Sequence, residues 1–418
     1  MPAPLIAGML ATCPRLPMSP LHHISGPEVL PSSLDLCPRQ RAWVEIDRGA
    51  ITTNTRRVRE SLAPRSALMA VVKADGYGHG AVTVAEAARE GGAGSFGVAT
   101  LAEAIELRQA GINEPVLVLG NLTQPSELRA CLHWGLMPTI SSLSQALVAS
   151  NVGIAGGREL EVHLKLDTGM TRLGVAWDEG PALLDSLAGL DGVRLRGVYS
   201  HLADADNPDD TITRQQLQRF TVVLTRLAEL ELRPGLRHLA NSAGTLAGDP
   251  TLQFDMVRVG LALYGHAPAP HLRGRLALRP AMSVRARVTM VRSVPAGVGV
   301  SYGHSFVTRR PSRLAVVGIG YADGVVRSLS NRLQVLAHGQ RLPQVGKITM
   351  DQLVIDATDC PALGPGDVVT LLGESAGGSI EAAEWADLAD TIPWEILCGF
   401  RQRLPRLPVG HEAEVISG

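Results

Sequence analysis

From about residue 43, short apolar segments alternate along the chain with amphipathic segments. In the amphipathic segments the apolar positions recur at three- and four-residue spacing, and glycine often stands near the end, which is typical of helices. Eight strands joined by helical crossovers in roughly 230 residues predict a (β/α)8 barrel of the TIM type rather than a doubly wound sheet. The predicted strands are residues 68–73, 95–99, 115–120, 137–140, 160–167, 194–201, 237–241 and 254–260.

After about residue 281 the pattern changes. The apolar segments become short and β-branched and are separated by Gly, Pro or Asn turns, and only EAAEWADLA has a helical pattern. We therefore predict an α/β chain with a barrel over residues 41–280 and a mostly β C-terminal domain over residues 281–418. Residues 1–40 are rich in proline and contain no lysine. We expect them to be a poorly ordered N-terminal extension, or the result of a start site assigned too early, with Met18 as an internal candidate.

The composition narrows the possible functions. The 418 residues are 45% hydrophobic and 19% charged, with a formal net charge of -1. Such a chain has no overall positive field to attract nucleic acid or an anionic membrane, and no apolar run is long enough to span a bilayer. The five cysteines are scattered without a C-x-x-C pair, which favours the reducing cytoplasm and argues against a structural zinc site. No H-x-x-x-H pair occurs, so we expect no metal site and read the histidines as hydrogen-bonded structural or rim residues.

Polar residues stand at the ends of several predicted strands. Barrel enzymes place their reacting groups at the carboxyl ends of the strands, so these residues predict a site at one rim. Lys73 ends the first apolar run, directly before three glycines spaced two apart, whose conformational freedom would let a bulky ligand approach closely. The other strand-end residues are Lys165, Asp167, Arg172, His201, Asn241, Ser242, Arg258 and Gly260.

A strand-end lysine in such a site points to an aldehyde cofactor. A desolvated lysine amine captures an aldehyde as an imine, and pyridoxal phosphate is the common aldehyde cofactor. The stretches NSAG (241–244) and VGLALYG (259–265) offer a hydroxyl and backbone N–H groups for its phosphate near the last two strands. Arg258 would meet the pyridine nitrogen. An arginine there leaves that nitrogen unprotonated, which favours returning a proton to Cα over transamination.

The motifs in this order resemble those of the alanine racemases. They are AVVKADGYGHG, KLDTGMTRLG, YSHLADAD, NSAG, VRVGLALYG, VSYGHSF, GIGYADG and TMDQ, and the resemblance covers roughly residues 41–410. It implies a fold-type III pyridoxal-phosphate isomerase that interconverts L-alanine and D-alanine by a two-base mechanism and supplies D-alanine for peptidoglycan. It also implies a cytoplasmic homodimer in which each active site is completed in trans by Tyr302 and Met350 of the other subunit.

The resemblance implies roles for individual residues. Lys73 corresponds to the cofactor-binding lysine, which also acts as the acid/base group for the D enantiomer, and Tyr302 corresponds to the group for the L enantiomer. Arg258 corresponds to the partner of the pyridine nitrogen, with His201 beside it. The corresponding phosphate contacts are Tyr77, Ser242 and the backbone of Gly260 and Leu261. The corresponding substrate-binding residues are Arg172, Met350 and Asp351, and Lys165 matches a lysine that is often a carbamate and orients Arg172.

One position departs from the family pattern. Many members carry a tyrosine shortly before R-V-P near the carboxyl end, where this chain reads CGFRQRLPR with Gln402. The loss of that hydroxyl removes one phosphate contact and would widen the pocket, so a racemase of broader specificity, acting on serine or another amino acid, stays an alternative. A basic-amino-acid decarboxylase is disfavoured because that family pairs the pyridine nitrogen with an acid. A pyridoxal-phosphate carrier is disfavoured because single-domain carriers lack a β domain.

Overall fold

The computed structural model describes residue 39 and residues 41–410, apart from residues 234 and 401. The predicted N-terminal extension, residues 1–40, lies outside the described residues except for Arg39. None of the helices in the described part of the chain combines the length and the apolar composition that a bilayer crossing needs.

The first described strand, β1 (Ala42–Asp47), is followed by the eight parallel strands of a closed barrel. The barrel strands are β2 (Ala67–Val71), β3 (Ser95–Val98), β4 (Val116–Asn121), β5 (Met137–Ile140), β6 (Leu160–Asp167), β8 (Val193–Tyr199), β9 (Leu236–His238) and β10 (Met256–Val259). Around the barrel the order is β5, β4, β3, β2, β10, β9, β8 and β6, and pairing of β5 with β6 closes the barrel. A short strand, β7 (Val175–Ala176), extends β6.

Helices connect these strands on the outside of the barrel, and local signals begin several of them. α4 starts with a capping box in which Thr100 and Glu103 satisfy each other's backbone N–H groups. α5 starts with proline and ends at a left-handed glycine, Gly135. The helices are α1 (Arg48–Ser61), α2 (Lys73–Tyr77), α3 (Ala81–Glu90), α4 (Leu101–Gln109), α5 (Pro125–Trp134), α6 (Leu143–Ala155), α7 (Gly180–Ala188), α8 (Thr211–Glu229) and α9 (Ser242–Leu246).

After β10 the chain makes short 3-10 turns, including Leu261–Tyr264, and enters a second, mostly antiparallel sheet. Its long central strand, β11, pairs with β1, β14 and β18. The strands of this part are β11 (Met282–Val294), β12 (Gly299–Val300), β13 (Phe306–Val307), β14 (Ser312–Val317), β15 (Gln334–Ala337), β16 (Gln340–Pro343), β17 (Leu353–Asp356), β18 (Val368–Ser375), β19 (Gly378–Ile380) and β20 (Arg406–Val409). Two helices, α10 (Ala382–Ala389) and α11 (Pro393–Gly399), lie between β19 and β20.

The predicted fold class is confirmed: a TIM-type barrel is followed by a mostly β C-terminal part. One strand lies where the sequence analysis did not expect it. β1 precedes the barrel in the chain but is hydrogen-bonded into the second sheet, antiparallel to β11 and parallel to β20. The domain limits at residues 40, 280 and 418 stay a prediction.

Candidate active site

A cavity of about 580 Å³ opens at the carboxyl ends of the barrel strands. Seven strands contribute residues at or just beyond their ends, in agreement with the general position of active sites in this fold. These strand-end residues are Val71, Ala99, Leu119, Lys165, Tyr199, Asn241 and Arg258. Further lining residues that the sequence analysis selected are Lys73, Tyr77, Arg172, His201, Ser242, Gly260 and Leu261.

Lys73 begins an unusual turn, because α2 winds in the left-handed region. Ala74, Asp75, Gly76 and Tyr77 have φ of 53°, 52°, 58° and 53°. Residues other than glycine rarely adopt this conformation, and it costs about 1–2 kcal/mol for each of them. Strain of this kind clusters at functional sites, where the surroundings hold it in place.

Two carboxylates hold this turn. Glu103 of α4 accepts a hydrogen bond from the backbone N–H of Ala74 at 2.7 Å, and its other oxygen accepts from Ala99 and Thr100 at 2.7 and 3.0 Å. Asp75 accepts from the N–H of Ala81 at 2.9 Å at the start of α3. The turn that carries Lys73 is therefore tied to the first turns of α3 and α4.

The glycines of this turn serve the packing of the protein itself. A Cβ at Gly78 would lie 2.5 Å from the carbonyl oxygen of Leu397. It is thus helix α11, rather than a ligand, that approaches the backbone at Gly78. The expectation that these glycines make room for a bulky ligand is wrong at this position, because α11 is packed against it.

Arg258, on β10, is the most buried cation in the cavity lining, with 4% of its surface exposed. Its Nη1 donates to Nδ1 of His238 at 3.0 Å, and its Nη2 lies 3.2 Å from Nδ1 of His201. Nη2 also donates to the carbonyl oxygens of Ser200 and Leu239 at 2.6 and 3.1 Å. Burial lowers the pKa of Arg258 to about 10, so the guanidinium stays charged at neutral pH.

Other cations share this end of the barrel. Burial, followed by the charges of Arg258, Arg172 and Lys73, lowers the pKa of Lys165 to about 8. Burial and then Arg172 lower the pKa of Lys73, whereas Glu103 raises it. Asp167, the acid next to Lys165 along β6, accepts three backbone N–H groups from residues 169–171. The cavity is therefore electropositive and suited to an anionic ligand.

The far end of the cavity is arranged for a group that accepts hydrogen bonds. The Oγ of Ser242 accepts the backbone N–H of Gly260 at 3.0 Å, and its hydroxyl hydrogen has no acceptor among the described residues, so it can donate to a ligand. A Cβ at Gly260 would lie 2.5 Å from the hydroxyl of Tyr77, so only glycine fits there. The ring of Tyr77 packs against Tyr264, with the ring centroids 4.7 Å apart.

Three residues predicted from the resemblance lie outside the lining of this cavity. Tyr302 and Met350 belong to the C-terminal part, and their exposed fractions are 72% and 53%. Asp351 forms an ion pair with Arg403 at 2.7 Å. Gln402, which suggested a wider pocket, is exposed and does not line the cavity either, whereas Trp394 of α11 does.

Sequence reasoning missed several residues that organise the cavity. Glu103 was not selected, although its place in the T-x-x-E capping box was a readable signal. His163 and His238 were expected to be hydrogen-bonded structural residues, and they are hydrogen-bonded to each other at 2.9 Å.

Among the described residues, no group of three or more His, Cys, Asp or Glu side chains is arranged to hold a metal ion.

Comparisons with known proteins agree with this geometry. Residues 46–268 match the family described as alanine racemase, N-terminal domain, and residues 281–408 match alanine racemase, C-terminal domain. The alanine racemase of Prochlorococcus marinus is 54% identical over 89% of this chain and 97% of its own length. That of Nostoc sp. is 51% identical over 88% of this chain and 96% of its own.

Solved structures are similar over the same region. The crystal structure of alanine racemase from the D-cycloserine producer Streptomyces lavendulae has a TM-score of 0.83 and 41% identity, covering 89% of this chain and 97% of that one. The structure of alanine racemase from Bartonella henselae with covalently bound pyridoxal phosphate has a TM-score of 0.79 and 33% identity, covering 88% of this chain and 100% of that one. The family matches and the fold agree, and this chain belongs to the alanine racemase family.

Proposed function

We propose that this chain interconverts L-alanine and D-alanine with pyridoxal phosphate held in the cavity, and so supplies D-alanine for peptidoglycan. The observation that carries the proposal is the pairing of two groups in one cavity. Lys73 has a pKa lowered by burial, and Arg258 is a buried guanidinium without a carboxylate partner among the described residues. Family membership supports the same reaction.

The residues present fit pyridoxal phosphate. Both terminal nitrogens of Arg258 are hydrogen-bonded to the protein, but Nε has no hydrogen-bond partner among the described residues, so it is free to donate to a ring nitrogen. The free hydroxyl hydrogen of Ser242 and the close approach allowed by Gly260 suit a phosphate group. We assign the same end of the cofactor to Tyr77 and the backbone of Leu261, and we place His201 beside Arg258.

When bound, pyridoxal phosphate would supply an aldehyde able to react with the amino groups of Lys73 and of the substrate, and a ring that would acidify the α hydrogen of the substrate. Arg258 can only donate, and it keeps its proton because its pKa of about 10 lies well above neutral pH. It would therefore hold the ring nitrogen without protonating it. The unprotonated nitrogen would limit the withdrawal of electrons into the ring and favour return of a proton to Cα.

Inversion at Cα needs one base on each face of the substrate. We assign the D enantiomer to Lys73, as the resemblance implies. Burial lowers the pKa of Lys73 and brings the neutral amine closer to physiological pH, which supports a role as a base. We assign the L enantiomer to Tyr302 of the partner subunit. The high exposure of Tyr302 and Met350 on the surface of one chain supports a role across a subunit interface.

Arg172 lines the cavity beside Lys165 and is the proposed contact for the substrate carboxylate. The pKa of Lys165, lowered to about 8, increases the fraction of neutral amine that can react with carbon dioxide. A carbamate on Lys165 would place a negative charge that orients Arg172. Met350 and Asp351 of the partner subunit are the proposed remaining substrate contacts.

The free thiols of Cys131, Cys360 and Cys398 support the cytoplasm as the compartment.

Racemisation and trans completion are tested together with two inactive variants, Lys73→Ala and Tyr302→Phe. The wild-type protein is expected to bring L-alanine to an equal mixture of enantiomers, measured by chiral chromatography, with serine as the competing substrate. Neither variant alone should do so.

Co-expression of the two variants provides the decisive control. If each site takes Lys73 from one chain and Tyr302 from the other, half of a random dimer population carries one intact site, which restores about a quarter of wild-type activity. Absence of recovery would show that Tyr302 acts within its own chain or not at all. Faster racemisation of serine than of alanine would favour the broader-specificity alternative.

A further inference from the structure

One hydrogen bond of Arg258 begins a chain of hydrogen bonds that continues through His238 to His163. Its Nη1 is bonded to one protein group, Nδ1 of His238 at 3.0 Å. Nε2 of His238 lies in turn 2.9 Å from Nδ1 of His163. Arg258, His238 and His163 are all buried, with exposed fractions of 4%, 0% and 1%. This chain of hydrogen bonds is therefore shielded from bulk solvent.

Hydrogen-bond chemistry determines where each proton lies. A guanidinium has donors only, so Nδ1 of His238 must accept and the proton of His238 must reside on Nε2. That proton is donated to Nδ1 of His163, whose own proton then resides on Nε2. Both imidazoles are neutral, and a second proton on either ring would place two donors against each other. Burial lowers the pKa of both histidines, which agrees with this arrangement.

The barrel leaves a gap for this contact. His163 is on β6 and His238 on β9, and β8 lies between these strands in the sheet. Residue 197 of β8 pairs with His163 and is a glycine, where a Cβ would lie 2.7 Å from Nδ1 of His163. Any side chain at residue 197 would displace the ring of His163 from His238. The missing side chain thus makes the contact between the two histidines possible.

Neighbouring groups fix the ring planes. The ring of Tyr199 stacks on His238 with centroids 4.8 Å apart and an interplanar angle of 7°. The hydroxyl of Tyr199 is held by Thr139 at 2.8 Å. In contrast, Nε2 of His163 is buried and has no partner among the described residues. A residue present only to fill space would not bring an unsatisfied N–H into the barrel, because such a group is costly to bury.

We infer that His163 is a positioning residue for the proposed racemisation, through its acceptance of a hydrogen bond from His238. Without an acceptor at position 163, the N–H at Nε2 of His238 would be buried without a partner, and this cost would weaken the preference for the tautomer that Arg258 needs. His163 thereby keeps Nδ1 of His238 available to Arg258 and keeps Nε of Arg258 directed at the cavity. The kinetic part of this inference rests on the proposed function, and the tautomer part does not.

The experiment compares three variants of the cofactor-loaded enzyme. His163→Phe fills the space without an acceptor, and His163→Gln restores an acceptor oxygen that does not titrate. His266→Phe is the matched control, because His266 is also buried with an unpartnered Nε2 and no hydrogen bond connects it to Arg258. Nitrogen-15 NMR of histidine-labelled protein, with His238 identified from a His238→Gln spectrum, reports which ring nitrogen carries the proton.

His238 is expected to carry its proton on Nε2 in the wild type and in His163→Gln, and to show a weaker preference for Nε2 in His163→Phe. The kcat for alanine should fall about tenfold or more in His163→Phe, the usual scale for outer residues that orient functional groups. KM should stay within about twofold, because the lost contact acts in the transition state. His163→Gln and His266→Phe should retain most of the wild-type kcat.

Two results would overturn the inference: a proton on Nδ1 of His238 in the wild type, or equal kcat in His163→Phe and His163→Gln. If His163→Phe does not fold, the wild type and His163→Gln decide, and loss of the Nε2 proton in His163→Gln contradicts the inference. A wild-type protein that does not racemise alanine would refute the proposed function, and the tautomer of His238 would still decide this inference.

Discussion

Replacing Glu103 by glutamine tests whether the left-handed turn at Lys73 is held by its hydrogen bonds. The carboxylate accepts three backbone N–H groups, at 2.7, 2.7 and 3.0 Å. Glutamine has one oxygen and one NH2 group, so at least one of these N–H groups would face another donor. A hydrogen bond to a charged group contributes about 1.5–3 kcal/mol, and partial exposure of Glu103 reduces this. We expect a loss of about 1–3 kcal/mol.

For a chain of 418 residues that loss corresponds to a fall in the melting temperature of about 1–4 °C. It should act first on the turn, where Ala74, Asp75 and Tyr77 are left-handed without being glycine. Looser positioning of Lys73 should also speed the loss of pyridoxal phosphate during dialysis. Because Glu103 raises the pKa of Lys73, its neutralisation should lower that pKa further.

The assays are thermal unfolding followed by circular dichroism and cofactor retention followed by absorbance. Glu106→Gln is the matched control, because Glu106 lies one turn further along α4 and is exposed. It removes the same charge without removing an acceptor from the turn. If Glu103→Gln and Glu106→Gln have the same melting temperature and the same cofactor retention, the proposed role of Glu103 is refuted.

Three further predictions concern burial and charge. Asp323 is fully buried and accepts two hydrogen bonds of 2.7 Å from Arg41. Asp323→Asn should therefore lower the free energy of unfolding, measured with urea, by about 3 kcal/mol. A decrease below about 0.5 kcal/mol would contradict this prediction. A pKa of about 8 rather than 10.5 makes the neutral amine of Lys165 about 300-fold more abundant at pH 7. Carbon-13 bicarbonate should therefore label Lys165 as a carbamate, and an unlabelled Lys165 would argue against it. Four buried histidines and the partly buried His201 have pKa values lowered below 6.5, so the unfolded chain binds more protons than the folded chain below pH 6.5, and stability should fall as the pH decreases from 6.5 towards 4. Each contributes about 1.4 kcal/mol per pH unit, and a urea midpoint that did not fall between pH 6.5 and pH 5 would contradict the assignment. The five histidines with lowered pKa values are His79, His163, His201, His238 and His266.

The barrel strands were predictable because strands buried on both faces form short apolar runs that can be read locally. Residues 160–167 were predicted as a strand, and β6 has the bounds Leu160–Asp167. β1 was not predicted. Its partner residues on β11 lie some 240 positions away, as in the pairing of Ala42 with Ala286, and no local pattern indicates a pairing at that distance.

The candidate site was predictable where its residues stand at strand ends. Lys73, Lys165 and Arg258 meet in one cavity because the carboxyl ends of parallel strands share one rim. The contact between His163 and His238 was not predictable, since it depends on the gap at Gly197 in the intervening strand. The left-handed turn was also not predictable, because local propensity disfavours that conformation for the non-glycine residues in it.

The placement of Tyr302 and Met350 at the site came from the resemblance alone. In the single chain these two residues are exposed and outside the cavity lining, and their spacing carries no signal for a contact with another subunit. The role of Gln402 was inferred from a missing tyrosine. The exposed position of Gln402 shows that the residue itself does not line the cavity of this chain.

The most direct test is reduction of the cofactor-loaded protein with borohydride, followed by peptide mapping of the attached pyridoxyl group. The sequence contains three lysines, Lys73, Lys165 and Lys347, so the site of attachment can be assigned without ambiguity. The label is expected on Lys73 alone, at the start of the left-handed turn. A label confined to Lys165 or Lys347, or no label in a protein that still racemises alanine, would contradict the account.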